Sequence, residues 1–117
     1  MSKKNKELIQ KINEAFARGD IDFFSTYLTD DTRWNIIGIS SITGKVKIMK
    51  ALEMKELESF PVVTVKNVIA EGDSVVVEST GKATRKTGSP YSASYCDVYR
   101  LNDGKIQEFT TYVIETA

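Results

Sequence analysis

The chain has 117 residues, enough for one domain around a single modest core. Sixteen basic and sixteen acidic residues cancel, so neither nucleic acid nor an anionic membrane surface is an expected partner. Histidine is absent, which excludes imidazole bases, Ser-His and Cys-His nucleophile pairs and His-containing metal sites; the expected metal and cofactor complement is none.

No apolar run approaches the roughly 20 residues that span a bilayer. The chain opens with the charged stretch MSKKNKE and carries one cysteine, Cys96. Together these point to a cytoplasmic protein without a disulfide framework.

Leu8, Ile9, Ile12, Ala15 and Phe16 recur at helical spacing and predict a first helix over 4–18. Gly19 is its C-terminal cap, and Asp20 caps a second helix over 21–29 that carries Phe23, Phe24, Tyr27 and Leu28. A short strand follows from Arg33 to Gly38, holding the only tryptophan, Trp34, which reads equally as pocket wall or as core. A second short strand covers 39–43. Gly44 introduces a third helix over 45–57, which Phe60-Pro61 breaks. Four strands then follow: 62–70, 74–85, and two long strands from Pro90 to Glu115 joined at Asn102-Asp103-Gly104. With no repeat or linker, residues 1–117 are expected to be one α+β domain. Its three N-terminal helices would pack on a strongly curved, mainly antiparallel sheet and leave a pocket at the mouth of a cone.

The last two strands place the pocket. Tyr95, Asp97 and Tyr99 share one strand face, and Cys96 and Val98 share the other. A two-residue loop at Asp103-Gly104 would pair Asp97 with Thr110. A three-residue loop with Gly104 left-handed would pair Asp97 with Phe109 and Tyr95 with Thr111. The second register gathers Tyr95, Tyr99, Phe109 and Val113 on one side and is the expected one, because it makes the more apolar face. Asp97 then lies on the buried face, where a lone carboxylate is costly unless hydrogen-bonded or protonated. It reads either as a ligand-facing acid or as a structural carboxylate bonded to a tyrosine hydroxyl or to Trp34. Cys96, on the opposite face and without a cationic neighbour, reads as a small packed residue.

Several stretches together resemble the nuclear transport factor 2-like superfamily, in its SnoaL-like, ketosteroid-isomerase-like branch. They are Gly19-Asp20, Leu28-Thr29-Asp30-Asp31, Gly44, Glu71-Gly72-Asp73-Ser74-Val75, Tyr95-Cys96-Asp97-Val98-Tyr99-Arg100, Asp103-Gly104-Lys105-Ile106 and Tyr112. The resemblance implies the cone-shaped fold but not one activity, since the superfamily hosts isomerases, cyclases, hydrolases and non-enzymes. In ketosteroid isomerases the positions of base, oxyanion-hole tyrosine and acid would fall on Ile36, Ile12 and Asp97, so only the acid is kept. The family's epoxide hydrolases place an Arg at what is Tyr95 here and a second Asp at what is Ile114. Polyketide cyclases use a His-Asp arrangement that this chain lacks.

The expected function is binding of a small hydrophobic ligand around Asp97, the one candidate catalytic group. Phe24, Tyr27, Trp34, Tyr95, Tyr99, Phe109, Thr111 and Val113 are the expected ligand contacts. The alternative is an isomerase, lyase or hydrolase acting on a small hydrophobic substrate with Asp97 as general acid.

The outer face of the two long strands carries Cys96, Val98, Ile106, Tyr112 and Ile114 beside Ser92, Ser94, Arg100, Glu108 and Thr110. An apolar set of this size on an open sheet face predicts a homodimer, and the resemblance implies the same sheet-to-sheet pairing. Light scattering after size exclusion at micromolar concentration is expected to give twice the chain mass; a monomer mass would overturn the pairing.

Overall fold

The computed structural model describes residues 2–116. Helix α1 (Ser2–Ala17) buries Ile9, Ile12 and Ala15 completely, with Leu8 and Phe16 flanking the stripe. Gly19 ends it at φ 79°, a left-handed conformation that glycine adopts without steric cost. Asp20 caps α2 (Ile21–Ser25) by accepting the Phe23 N–H at 3.2 Å.

Helix α2 is shorter than the expected span to Thr29. The N–H groups of Thr26, Tyr27 and Leu28 each bond three residues back, tightening the chain out of the helix. The Tyr27 carbonyl is meanwhile taken by the Ile106 N–H at 2.8 Å. Helix α3 (Lys45–Ala51) also stops early, short of the expected Leu57. Met54 turns left-handed at φ 45°, and the chain beyond it runs beside the end of a strand, where Leu57 bridges to Arg85 and Glu58 N–H bonds Thr84 O. Tertiary hydrogen bonds thus override the helical periodicity at both ends.

Six strands form one open mixed sheet in the order β2-β1-β6-β5-β4-β3. They are β1 (Arg33–Ile36), β2 (Ser40–Thr43), β3 (Val62–Glu71), β4 (Ser74–Thr84), β5 (Pro90–Asn102) and β6 (Lys105–Glu115). All pairs are antiparallel except β1 with β6, which places Trp34 beside Phe109. Helix α1 lies over β3 and β4, so the inner face of the sheet is the covered one. Thr32, fully buried, ties the entry of β1 to β6 by donating to Ile106 O at 2.6 Å and accepting the Thr29 N–H at 2.8 Å.

The β5–β6 turn corrects the expected register. Asn102 pairs with Lys105, so the loop is the two-residue Asp103-Gly104, both left-handed at φ 51° and 72°. Arg100 then pairs with Glu108 while Leu101 pairs with Ile106, leaving Gln107 as the extra residue of a bulge. Asp97 is therefore opposite Thr111, and Tyr95 opposite Val113, rather than Phe109 and Thr111. The displacement is two residues, and side chains alternate with period two, so the expected face is kept. Ile106 is the exception. The bulge turns it inward, where it is fully buried, and it leaves the outer face to which the sequence assigned it.

The core joins Ile9, Ile12, Phe24, Trp34, Ile48, Val75, Val77, Tyr99, Leu101, Ile106 and Phe109. The outer face keeps Ile69, Tyr112 and Ile114 exposed, with Val76 and Val98 half-buried between them. Toward β1 it turns polar: Glu108 lies 3.6 Å from Arg33 and 3.9 Å from Arg100, and accepts from Asn35 at 2.8 Å. No helix among the described residues is long and apolar enough to cross a membrane.

Gly81 on β4 leaves room for the Tyr95 ring. A Cβ built there would sit 2.7 Å from Tyr95 Cε2 and 2.8 Å from its hydroxyl. Gly81→Ala is expected to cost about 1–3 kcal/mol by overpacking, read by urea denaturation. The same change should cost less in a Tyr95→Leu background, and an equal cost in both would show that the ring is not what the glycine accommodates.

Candidate functional site

A cavity of about 100 Å³ lies between the inner sheet face and the helices. Its sheet side is built by Trp34 from β1, Ser79 from β4, Tyr95, Asp97 and Tyr99 from β5, and Phe109 and Thr111 from β6. Asn13 and Phe16 from α1 and Phe24 from α2 line the helix side. Leu52, Met54, Phe60, Pro61 and Val63 complete the lining.

Aromatic packing fixes the sheet side. The Phe109 ring is stacked between Trp34 and Tyr99, at 5.2 and 5.6 Å, and meets Phe24 edge-on at 5.4 Å. Phe16 continues the ring cluster to Phe24 at 5.2 Å and to Phe60 at 5.5 Å.

One hydrogen-bond chain crosses this apolar wall. The Trp34 indole N–H donates to Thr111 Oγ1 at 2.8 Å, and the Thr111 hydroxyl donates to Asp97 Oδ1 at 2.6 Å. The corrected register makes this possible, because it sets Thr111 directly opposite Asp97 and beside Ile36 of β1. Asp97 therefore bonds neither to a tyrosine hydroxyl nor directly to Trp34. Tyr95 turns its hydroxyl to Tyr91 at 3.1 Å instead.

Burial pushes the Asp97 carboxyl up to about 6, against the opposing effect of the Thr111 hydrogen bond. Burial also lifts the Tyr95 phenol well above its usual range, helped by the Tyr91 hydroxyl and by the charge of Asp97. Tyr99 is raised for the same first reason, with Asp97 adding to it. Both tyrosines are thus neutral hydroxyls at any physiological pH. On the other face, burial and the charges of Asp97 and Glu78 raise the Cys96 thiol, which disfavours a nucleophilic thiolate. The cavity lining contains no Lys, Arg, Glu or second Asp. Among the described residues no cluster of three or more His, Cys, Asp or Glu is placed to hold a metal ion.

Of the residues the sequence singled out, Phe24, Trp34, Tyr95, Asp97, Tyr99, Phe109 and Thr111 come together on the cavity. Tyr27 and Val113 do not. The Tyr27 ring packs against Phe23 at 5.4 Å with Lys105 over it at 5.9 Å, and Val113 pairs with Tyr95 outside the lining. Ile12 is fully buried core and Ile36 packs against that core. Ile114 is 71% exposed on the outer face, so that position offers no group to the cavity. Sequence reasoning missed Asn13, Phe16, Ser79 and the segment from Leu52 to Val63. Asn13 carried a signal, since it lies four residues after Ile9 and three before Phe16, on the apolar stripe of α1.

An open, helix-covered sheet with these rings on its inner face is the nuclear transport factor 2-like fold. The family profile of the SnoaL-like domain matches residues 9–109, and the chain belongs to that family. No curated protein matches it. Among solved structures it is similar to a nuclear transport factor 2-like protein of unknown function from Cytophaga hutchinsonii, at 29% identity and TM-score 0.74, over 93% of this chain and 98% of that one. A protein of the same fold and also of unknown function, from Burkholderia pseudomallei, aligns at 19% identity and TM-score 0.82, over 92% and 88% of the two chains. An epoxide hydrolase of M. tuberculosis aligns at 20% identity and TM-score 0.81, over 97% and 84%. Identities of this size in the last two carry the fold alone.

The Asp97 carboxyl sets a stability test. Its folded value, about 6, lies above the ordinary 3.8, so the folded state holds the proton more tightly than the unfolded chain. The resulting stabilisation is complete below about pH 4 and is lost as pH rises through about 6. A displacement of this size corresponds to about 3 kcal/mol. Asp97→Asn keeps an acceptor for Thr111 and removes the titration. Relative to that variant, the wild type is expected to lose up to about 3 kcal/mol between pH 4 and pH 8. Parallel urea curves for the two proteins across that range would mean the carboxyl titrates as if in water.

Proposed function

We propose that this SnoaL-like domain binds a small hydrophobic molecule in the cavity around Asp97, with a polar end of the ligand at the carboxyl group. The observation that carries this reading is the unfilled side of that carboxyl. Thr111 occupies Oδ1, and no hydrogen bond from the described residues reaches the other oxygen. Trp34, Tyr99, Phe109 and Phe24 supply the apolar surface beside it, and Tyr95 and Thr111 complete the contacts. Pockets that pair a mostly apolar lining with a few placed polar groups are typical small-molecule sites.

A second reading is favoured by the carboxyl value near 6, which suits a general acid at neutral pH. Asp97 would then serve an isomerase, lyase or hydrolase acting on a small hydrophobic substrate. The binding reading ranks first because a proton transfer needs a partner base. The only other ionisable groups on the cavity, Tyr95 and Tyr99, are held as neutral phenols.

We further infer a homodimer through the outer sheet face, where Ile69, Tyr112 and Ile114 remain exposed beside half-buried Val76 and Val98. The single, unbridged cysteine suits the cytoplasm.

Titration of ¹⁵N-labelled protein with cyclohexanol is expected to shift the Trp34 indole N–H, the only one in the chain, in a saturable way. Asp97→Leu should weaken that binding severalfold by removing the partner of the ligand hydroxyl. Absence of any saturable shift with cyclohexanol, cyclohexanone and methylenecyclohexane alike would overturn the cavity as a ligand site.

A further inference from the structure

The helix side of the cavity holds a polar group that nothing in the fold uses. Asn13, half-buried at the edge of the apolar stripe of α1, lines the cavity and also an open groove beside Val65 and Val68, and its amide nitrogen Nδ2 is the one buried side-chain polar atom without a hydrogen-bond partner among the described residues. A buried N–H left unpaired is costly, and folded proteins rarely keep one without a use. The neighbouring stripe positions show the alternative, since Ile9, Ile12 and Ala15 pack with no exposed surface at all. A leucine at position 13 would continue that packing.

As it stands, Nδ2 presents almost no surface to a water-sized probe. A bound molecule can reach it by a rotation of the amide about Cβ–Cγ, a soft torsion with broad minima. Such a molecule must bring a hydrogen-bond acceptor, since an amide NH₂ only donates. It must also be small and otherwise apolar, given a cavity of about 100 Å³ whose helix side is completed by Phe16 and Phe24.

We propose that Asn13 is the specificity-determining residue of the cavity, and that its amide selects neutral, compact molecules carrying an acceptor oxygen over hydrocarbons of the same shape. The inference rests on the reading of the cavity as a ligand site and names the class of ligand. It assigns Asn13 a task separate from that of Asp97. The carboxyl donates or accepts according to pH, whereas the amide donates at every pH. A carboxylate ligand is disfavoured by the same geometry, because the lining already holds the Asp97 carboxyl and, among the described residues, no Lys or Arg.

Cyclohexanone and methylenecyclohexane form a matched pair of probes that differ by C=O against C=CH₂. At pH 8, where the Asp97 carboxyl is ionised and only accepts, the wild-type protein is expected to bind the ketone about five- to tenfold more tightly than the alkene, the range one well-made hydrogen bond gives. Asn13→Leu should bind the two equally and should melt at or above the wild-type temperature, because it removes an unpaired donor. Alkene binding with no preference for the ketone in the wild type would overturn the inference and leave the ligand site standing. So would a ketone preference that survives in Asn13→Leu, which would assign the oxygen to a hydroxyl donor on the lining. A melting temperature several degrees below wild type, or a variant that does not fold, would show that the amide already has a structural partner, and overturns it too. Failure of both probes to bind the wild type removes the ligand site itself, and the inference with it.

Discussion

One extra residue, Gln107, decides what the inner face of the sheet contains. Side chains alternate along β6, so without an irregularity Ile106 and Phe109 would lie on opposite faces. The bulge between the Arg100–Glu108 and Leu101–Ile106 pairs turns both inward, where each is buried. From there the consequences run in order. Phe109 reaches the rings of Trp34, Tyr99 and Phe24, and Ile106 closes the core below them while its backbone holds Tyr27 and Thr32. Thr111 comes to rest opposite Asp97 and within reach of Trp34, so the hydrogen-bond chain through the wall exists only in this register.

How much of this was legible in the sequence follows from the same geometry. The number and order of the elements, the Gly19 and Asp20 caps and the face carrying Tyr95, Asp97 and Tyr99 were readable, because periodicity and turn residues are local signals. The β5–β6 pairing was not. A two-residue Asp-Gly turn followed by a bulge and a three-residue turn without one give registers two residues apart, and both put the same side chains inward. Binary patterning cannot separate them. Ile106 was misplaced because a bulge reverses the pattern for residues on one side of it only. The end of α2 was overrun because the Tyr27 carbonyl is taken by a distant strand, and that of α3 because Met54 turns left-handed and the chain beyond it bonds to the end of β4. Asn13 was passed over although its position on an apolar stripe marked it, and the loop holding Phe60 and Pro61 gave no pattern to read.

The family and the site answer different questions. Membership of the SnoaL-like domain family accounts for the fold, and proteins of the same fold at 20% identity or below include an epoxide hydrolase and a protein of unknown function. A fold this permissive says where a pocket forms, not what happens in it. Here the cavity sets Asp97 among aromatic rings, while Ile12 is packed into the core and Ile114 faces outward.

What remains is a site whose polar groups oppose the stability of the fold. A carboxyl raised to about 6 by its surroundings weakens the folded state at neutral pH, and an amide nitrogen without a partner weakens it at every pH. Both groups sit on one cavity, among residues that otherwise satisfy local propensity, patterning and packing. Natural sequences that agree with their fold at every other level tend to break the rules where they meet something from outside. Hydrophobic replacements at both positions would make a quieter core. Asn13 from the helix and Asp97 from the sheet face the same space, and it is this pairing of two polar groups across an apolar cavity on which the proposed ligand reading rests.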